Sequence, residues 1–238
     1  MKLFTEMYTK VLQELTSQTN QAKIEVFKRF FKTGKGQYGE GDQFLGITVP
    51  ILRNIAKKNQ DITITDVEKL LKHKVHEVRL CALLILVYKF KKADGNVKKQ
   101  IFDLYLKNTQ YINNWDLVDL TAPTIVGEYL IDKDRTILYE LAKNSDLWKR
   151  RIAIIATFAF IREQDVLDTI KISKILINDK HDLIHKATGW MLREVFKRNN
   201  EMIIDFLNDY ATKMPRTMLR YTIEKMPQEQ RLYYLHLR

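Results

Sequence analysis

Trp115 and Asp119 stand four residues apart in the segment Asn114-Trp115-Asp116-Leu117-Val118-Asp119-Leu120-Thr121-Ala122-Pro123, a spacing that puts both on one face of a helix. No cation within that segment shares the face. An indole face attracts cationic and electron-poor groups, and a carboxylate beside it adds negative charge. Taken singly, Trp115 also fits a core position and Asp119 a solvated or capping one. Other reactive residues offer less. His181 and His185 have helical i,i+4 spacing, but no Glu follows at 182 and no third ligand is evident, so no metal is expected. The lone cysteine, Cys81, lies in the apolar run 80–87 and reads as a buried, inert thiol. The glycine-rich stretch 34–41 lacks G-x-x-x-x-G-K-[ST] and follows no strand, which argues against a nucleotide loop. No cofactor is expected.

The elements that must position these residues are helical. In residues 3–18, Phe4, Met7, Tyr8, Val11, Leu12 and Leu15 recur at steps of three and four, the pattern of a helix with one buried stripe. Residues 21–32 repeat it with Ile24, Phe27 and Phe31. The stretch 32–42 (KTGKGQYGEGD) carries four of the eight glycines and is a loop. Pro50 suits the first turn of the next helix, and Thr65-x-x-Glu68 reads as a capping box. A long apolar helix covers 76–91, with Gly95 as its stop. Further helices are expected near 97–107, 115–130, 134–143, 147–162, 164–177, 182–197, 200–211 and 216–225, with Asp134, Asn144, Ser145 and Asp146 marking starts and stops. The tail 231–238 reads as a closing helix or a frayed end.

Three of these helices open alike: Glu77-Val78-Arg79-Leu80-Cys81-Ala82, Lys149-Arg150-Arg151-Ile152-Ala153 and Ile184-His185-Lys186-Ala187. Arg150 and His185 are 35 positions apart, and Arg79 and Arg150 are 71 apart, about twice that. A period in the thirties with two helices per unit is the mark of an α-solenoid, whose inner helices line a concave face. The recurring basic residues are expected to line that groove. Composition agrees. With only 8 Gly and 4 Pro in 238 residues the chain is poor in turns, and 40 Lys and Arg against 29 Asp and Glu leave a net charge of +11. Such an excess favours polyanions, nucleic acid first. No linker divides the chain, so one domain over 1–238 is expected. The N-terminus is not built as a signal peptide and no stretch is apolar enough to span a membrane, so a cytoplasmic monomer without membrane contact is expected.

The Trp115–Asp119 segment resembles the W-D-x-V-D signature of the AlkD-type DNA glycosylases. Asp146-Leu147-Trp148-Lys149-Arg150-Arg151-Ile152-Ala153 is similar to their W-x-x-R-x-A stretch. The run from Ile184 to Glu194 (IHKATGWMLRE) is similar to their K-A-x-G-W-x-L-R-E stretch, and Phe44-Leu45-Gly46-Ile47 with Pro50 and Arg53 to F-L-G-I-x-x-P-x-R. The likeness spans roughly 40–200. It implies an all-α solenoid of HEAT-like repeats with a concave basic groove. It implies a monofunctional glycosylase that hydrolyses the N-glycosidic bond of cationic purines, such as 3-methyladenine or 7-methylguanine, in double-stranded DNA. Asp119 would be the catalytic carboxylate, Trp115 and Trp190 would pack beside the damaged nucleotide, and Arg151, or its neighbour Arg150, would hold a phosphate or support Asp119.

A cationic purine leaves as a neutral molecule, so the leaving group needs no general acid. The sugar develops oxocarbenium character, which a fixed carboxylate stabilises. One carboxylate and no histidine then suffice. The chain departs from the family in its first repeats, where a short helix carries a tyrosine into the minor groove. Here the glycine-rich loop takes that place, and Tyr38 is the tyrosine available. That departure keeps two further readings open: a catalytically silent nucleic-acid-binding solenoid, or a protein-binding helical scaffold.

Overall fold

The computed structural model describes residues 2–237, with side chains from position 7 onward. The protein is all-α. Among the described residues no strand forms, and the one β-type pairing is an isolated bridge between Gln43 and Val75. The contacts gather into two units, Met1–Thr121 and Ala122–Arg238.

The first unit holds α1 (Lys2–Ser17), α2 (Gln21–Phe30), α3 (Val49–Lys58), α4 (Ile64–Leu71), α5 (His76–Lys92), α6 (Gly95–Lys107) and α7 (Trp115–Asp119). Helix α5 is its axis. Nearly every position from His76 to Val87 is buried, and α3 and α4 pack on it. Val11 and Leu15 of α1 are fully buried as the stripe requires, while Phe4 lies outside the described side chains. Two local signals are displaced from where the sequence puts them. The capping residue of α4 is Thr63, whose hydroxyl accepts from the Asp66 amide at 3.1 Å, and not Thr65. Gly95 does not stop α5. It is the first residue of α6, behind Asp94, which caps the Val97 amide.

The second unit holds α8 (Thr136–Ala142), α9 (Leu147–Ala156), α10 (Phe158–Arg162), α11 (Leu167–Leu176), α12 (Asp182–Phe196), α13 (Asn200–Tyr210), α14 (Arg216–Thr222) and α15 (Gln228–His236). Helix α12 is central here, packed against α9, α11, α13 and α14. Its tightest approach is at Gly189, where a Cβ would collide with the Met218 carbonyl and the Tyr221 side chain of α14. The expected helix 115–130 breaks after α7. Pro123 has no amide hydrogen to continue it, and the chain resumes as a π-helical turn, Pro123–Gly127, and a 3₁₀ turn, Glu128–Leu130. The expected helix 147–162 likewise divides at Thr157 into α9 and α10.

The fourth residue of α5, α9 and α12 is Arg79, Arg150 and His185. All three turn back onto the loop before their own helix. Arg79 donates to the carbonyls of His73 and Lys74, Arg150 to those of Asn144 and Ser145, and the His185 ring lies 2.5 Å from the Asp179 carbonyl. The first two also bind carboxylates, Arg79 that of Asp42 at 2.7 Å and Arg150 that of Asp179 at 2.6 Å. The recurring basic residue is thus a staple that turns back onto the loop before its own helix.

Candidate functional site

Helix α7 is a single turn, too short to stand on its own backbone bonds, and side chains hold both its ends. At its start the fully buried Asn114 accepts from the Trp115 amide at 2.8 Å. At its end the Thr121 hydroxyl donates to the Leu117 carbonyl. That hydroxyl has spent its only hydrogen, so the Tyr105 hydroxyl, 3.1 Å away, must be the donor between the two. Burial and the nearby charge of Asp119 both push the Tyr105 phenol up, which keeps that donor protonated. Asp116, Leu117 and Val118 point inward and are buried, whereas Trp115 and Asp119, one turn apart, are only half-buried. Their four-residue spacing puts the indole and the carboxylate on one face of the helix.

Trp115 stacks on Phe31 at 5.5 Å and meets the edge of Phe30 at 5.6 Å. Phe31 in turn stacks on Phe44 (5.3 Å) and lies against the His76 ring (4.7 Å). Phe30 is 59% exposed, an unusual state for a phenylalanine beside a candidate site.

Beneath the rings lies a buried charge cluster. His76 is 1% exposed, with Nε2 2.8 Å from Asp116 and Nδ1 3.3 Å from Asp42. Burial alone would lower its pKa, but the Asp116 carboxylate, helped by Asp42, outweighs that and raises it to about 9. Burial works to raise Asp42, yet its bond to His76 and the charge of Arg79 hold it below the usual carboxylate range. Arg79 completes its donors with the Tyr111 carbonyl and Asn113. On the same helix, the buried Glu77 carboxylate accepts from the amides of Leu45, Gly46 and Ile47, and so clamps the F-L-G-I stretch. Gly46 has φ +77 and touches the Asn20 carbonyl, so a side chain there meets both strain and collision.

In the second unit Arg151 is buried and donates to the Leu183 carbonyl at the start of α12. Arg150 is committed to Asp179 and the loop before α9. Trp190, half-buried on α12, packs against Phe158 at 5.9 Å, and the Arg162 guanidinium lies 4.3 Å from the centre of the same Phe158 ring. Trp148 is a buried core side chain. Trp115 and Asp119 thus belong to one unit and Arg151 and Trp190 to the other. Tyr38 is half-buried within a turn-rich loop that forms no helix. Sequence reasoning passed over Phe30, Phe158 and the His76 cluster. The cluster's partners lie 34 and 40 residues away, so no local pattern could signal them.

His181 caps its own helix by accepting from the Leu183 amide. Among the described residues no three His, Cys, Asp or Glu side chains gather in a way that could hold a metal ion. Cys81 is buried and its thiol pushed up to about 12, which leaves it no thiolate for chemistry. No helix among the described residues is long and apolar enough to cross a membrane.

The sequence profile of the DNA alkylation repair enzymes matches residues 11–226, and the chain belongs to that family. A solved structure titled "Predicted DNA alkylation repair enzyme from Enterococcus faecalis" superposes on it with a TM-score of 0.70, covering 89% of this chain and 98% of that one at 15% identity. At that identity the likeness establishes the fold. No curated protein matches the sequence.

Proposed function

We propose that the protein is a monofunctional DNA glycosylase that removes cationic alkylated purines from double-stranded DNA, with Asp119 as its catalytic carboxylate. The observation that carries this reading is helix α7, which buries 116–118 and leaves Trp115 and Asp119 half-buried one turn apart, in a chain of the DNA alkylation repair family. Alkylation at a ring nitrogen makes the purine positive. As the bond from C1′ to the base breaks, its electron pair neutralises the ring and leaves cationic character on the sugar. Asp119 stabilises that charge and takes a proton from the water that adds to C1′. Trp115 offers an indole to the electron-poor nucleotide, and the roles of Trp190 beside the nucleotide and of Arg151 at a backbone phosphate rest on the family resemblance alone. Phe30, exposed and edge-on to Trp115, is assigned an apolar contact with the DNA, beside the minor-groove role for which Tyr38 is the tyrosine available.

Release of free 7-methylguanine from methylated duplex DNA tests the assignment. The wild type is expected to release it, and Asp119→Asn to be slower by about 100-fold or more, the usual cost of losing a group that stabilises transition-state charge. No release by the wild type at high enzyme concentration refutes the assignment. Salt-dependent DNA binding without release would instead identify the silent nucleic-acid-binding reading, which the turn-rich loop 32–42 favours.

A further inference from the structure

We infer that His76 is a positioning residue for helix α7: bonded to Asp116 on one side and Asp42 on the other, it fixes where the Trp115–Asp119 turn stands against the glycine-rich loop, and so where the carboxylate of Asp119 is presented. The inference rests on the reading that Asp119 meets the substrate, and it concerns how that group is held.

The geometry supports it in three ways. First, Asp116 lies inside α7, between the two residues the helix presents. Its carboxylate has His76 as its partner from outside the turn, besides the amide of Leu117 within it. Second, Asp42 closes the loop that begins after Phe31, and Phe31 stacks on Trp115 and lies on the His76 ring. The two ends of the loop and the start of α7 therefore meet at one imidazole. Third, the groups facing that ring are Asp42 from the loop, Asp116 from α7 and Arg79 from its own helix, with the rings of Phe31 and Phe44 against its faces. Two carboxylates and two cations make a closed, neutral set inside an aromatic shell.

A buried ionic cluster is a poor way to gain stability, because packed apolar side chains of similar volume often serve as well or better. Its distinct property is direction. A doubly protonated ring donates from both nitrogens and so fixes two carboxylates at once. A neutral ring donates from one only. The Asp116 contact, at 2.8 Å, is the shorter, so the remaining proton stays on Nε2 and the Asp42 side opens. Arg79 then holds Asp42 alone, and the loop under Phe31 loosens.

The test uses the full chain labelled with 5-fluorotryptophan, the Trp115 resonance being assigned through Trp115→Phe, together with base release from methylated duplex DNA. In the wild type the Trp115 ¹⁹F shift is expected to move with pH around the His76 pKa of about 9. In His76→Gln that transition is expected to vanish. In base release the same variant is expected to lose about 10- to 100-fold in kcat, with KM within about twofold, as a misplaced catalytic group would. A Trp115 signal in His76→Gln that matches the wild type at every pH overturns the inference. So does a kcat loss no larger than the loss of folded protein. If the wild type releases no base at all, the glycosylase reading fails while the ¹⁹F arm still decides whether His76 holds α7. Should His76→Gln not fold, Asp42→Asn replaces it: a lowered His76 midpoint in imidazole NMR with a shifted Trp115 resonance supports the inference, and an unmoved Trp115 resonance overturns it.

Discussion

The first turn of α5 in one unit and the first turn of α9 in the other begin from the same device and end differently. In both, the arginine at the fourth helical position reaches back to two carbonyls of the preceding loop and binds one carboxylate. At α9 the device stops there: Arg150 and Asp179 form a partly buried staple. At α5 it is elaborated. His76 one turn earlier adds a second cation, Asp116 a second acid, and the rings of Phe31 and Phe44 lie against the imidazole. The difference separates what a repeat must keep, a pinned loop, from what one copy of it has gained, a buried cluster under the residues proposed for chemistry.

Removing each staple sharpens the contrast. Arg79→Ala leaves the buried Asp42 with His76 as its remaining cationic partner, at 3.3 Å, and is expected to cost about 3–5 kcal/mol in denaturant unfolding. Arg150→Ala, with more solvent at hand, should cost about 1–2 kcal/mol. Equal losses would show the two staples to be energetically alike. Next in size are the glycines. Gly46→Ala combines a positive φ with collision against Asn20 and is expected to lose about 2–4 kcal/mol, and Gly189→Ala, with ordinary φ but equal crowding, about 1–3 kcal/mol. Glu77→Gln keeps an acceptor for some of the three amides it clamps and should cost about 1–2 kcal/mol.

The last effect is the one set by pH. The folded pKa of His76, about 9, lies above its ordinary value of 6.5, so its contribution is full below pH 6.5 and is lost as pH rises through 9. Unfolding free energy should therefore fall between about pH 7 and pH 10 in the wild type and fall less in His76→Gln. Parallel curves would remove His76 from the account.

Much of the fold could be read in the chain. The three-and-four periodicity placed most helices within a few residues, because burial of one stripe leaves a pattern in the sequence itself. The misplacements have local causes. Thr63 outcompeted Thr65 for the cap because its hydroxyl faces the free Asp66 amide, and Pro123 ended a helix whose apolar pattern runs on past it. The arginine at the repeat was visible, but its direction was not. Periodicity assigns a face, whereas the carboxylates that draw Arg79 and Arg150 inward lie 37 and 29 positions away. Trp115 and Asp119 were legible because four-residue spacing is itself geometry. Phe30 was not, since nothing in a helical phenylalanine says that its neighbours will leave it in water.

The staples also change how the net charge of +11 should be counted. A guanidinium already locked to an internal carboxylate attracts few counterions from solution, and so has few to surrender when a phosphate chain arrives. Arg79 and Arg150 contribute to the electrophoretic charge of the protein but little to the salt dependence of its encounters. Exposed cations such as Lys32 and Lys35, on the loop that follows Phe30 and Phe31, are the ones that set it.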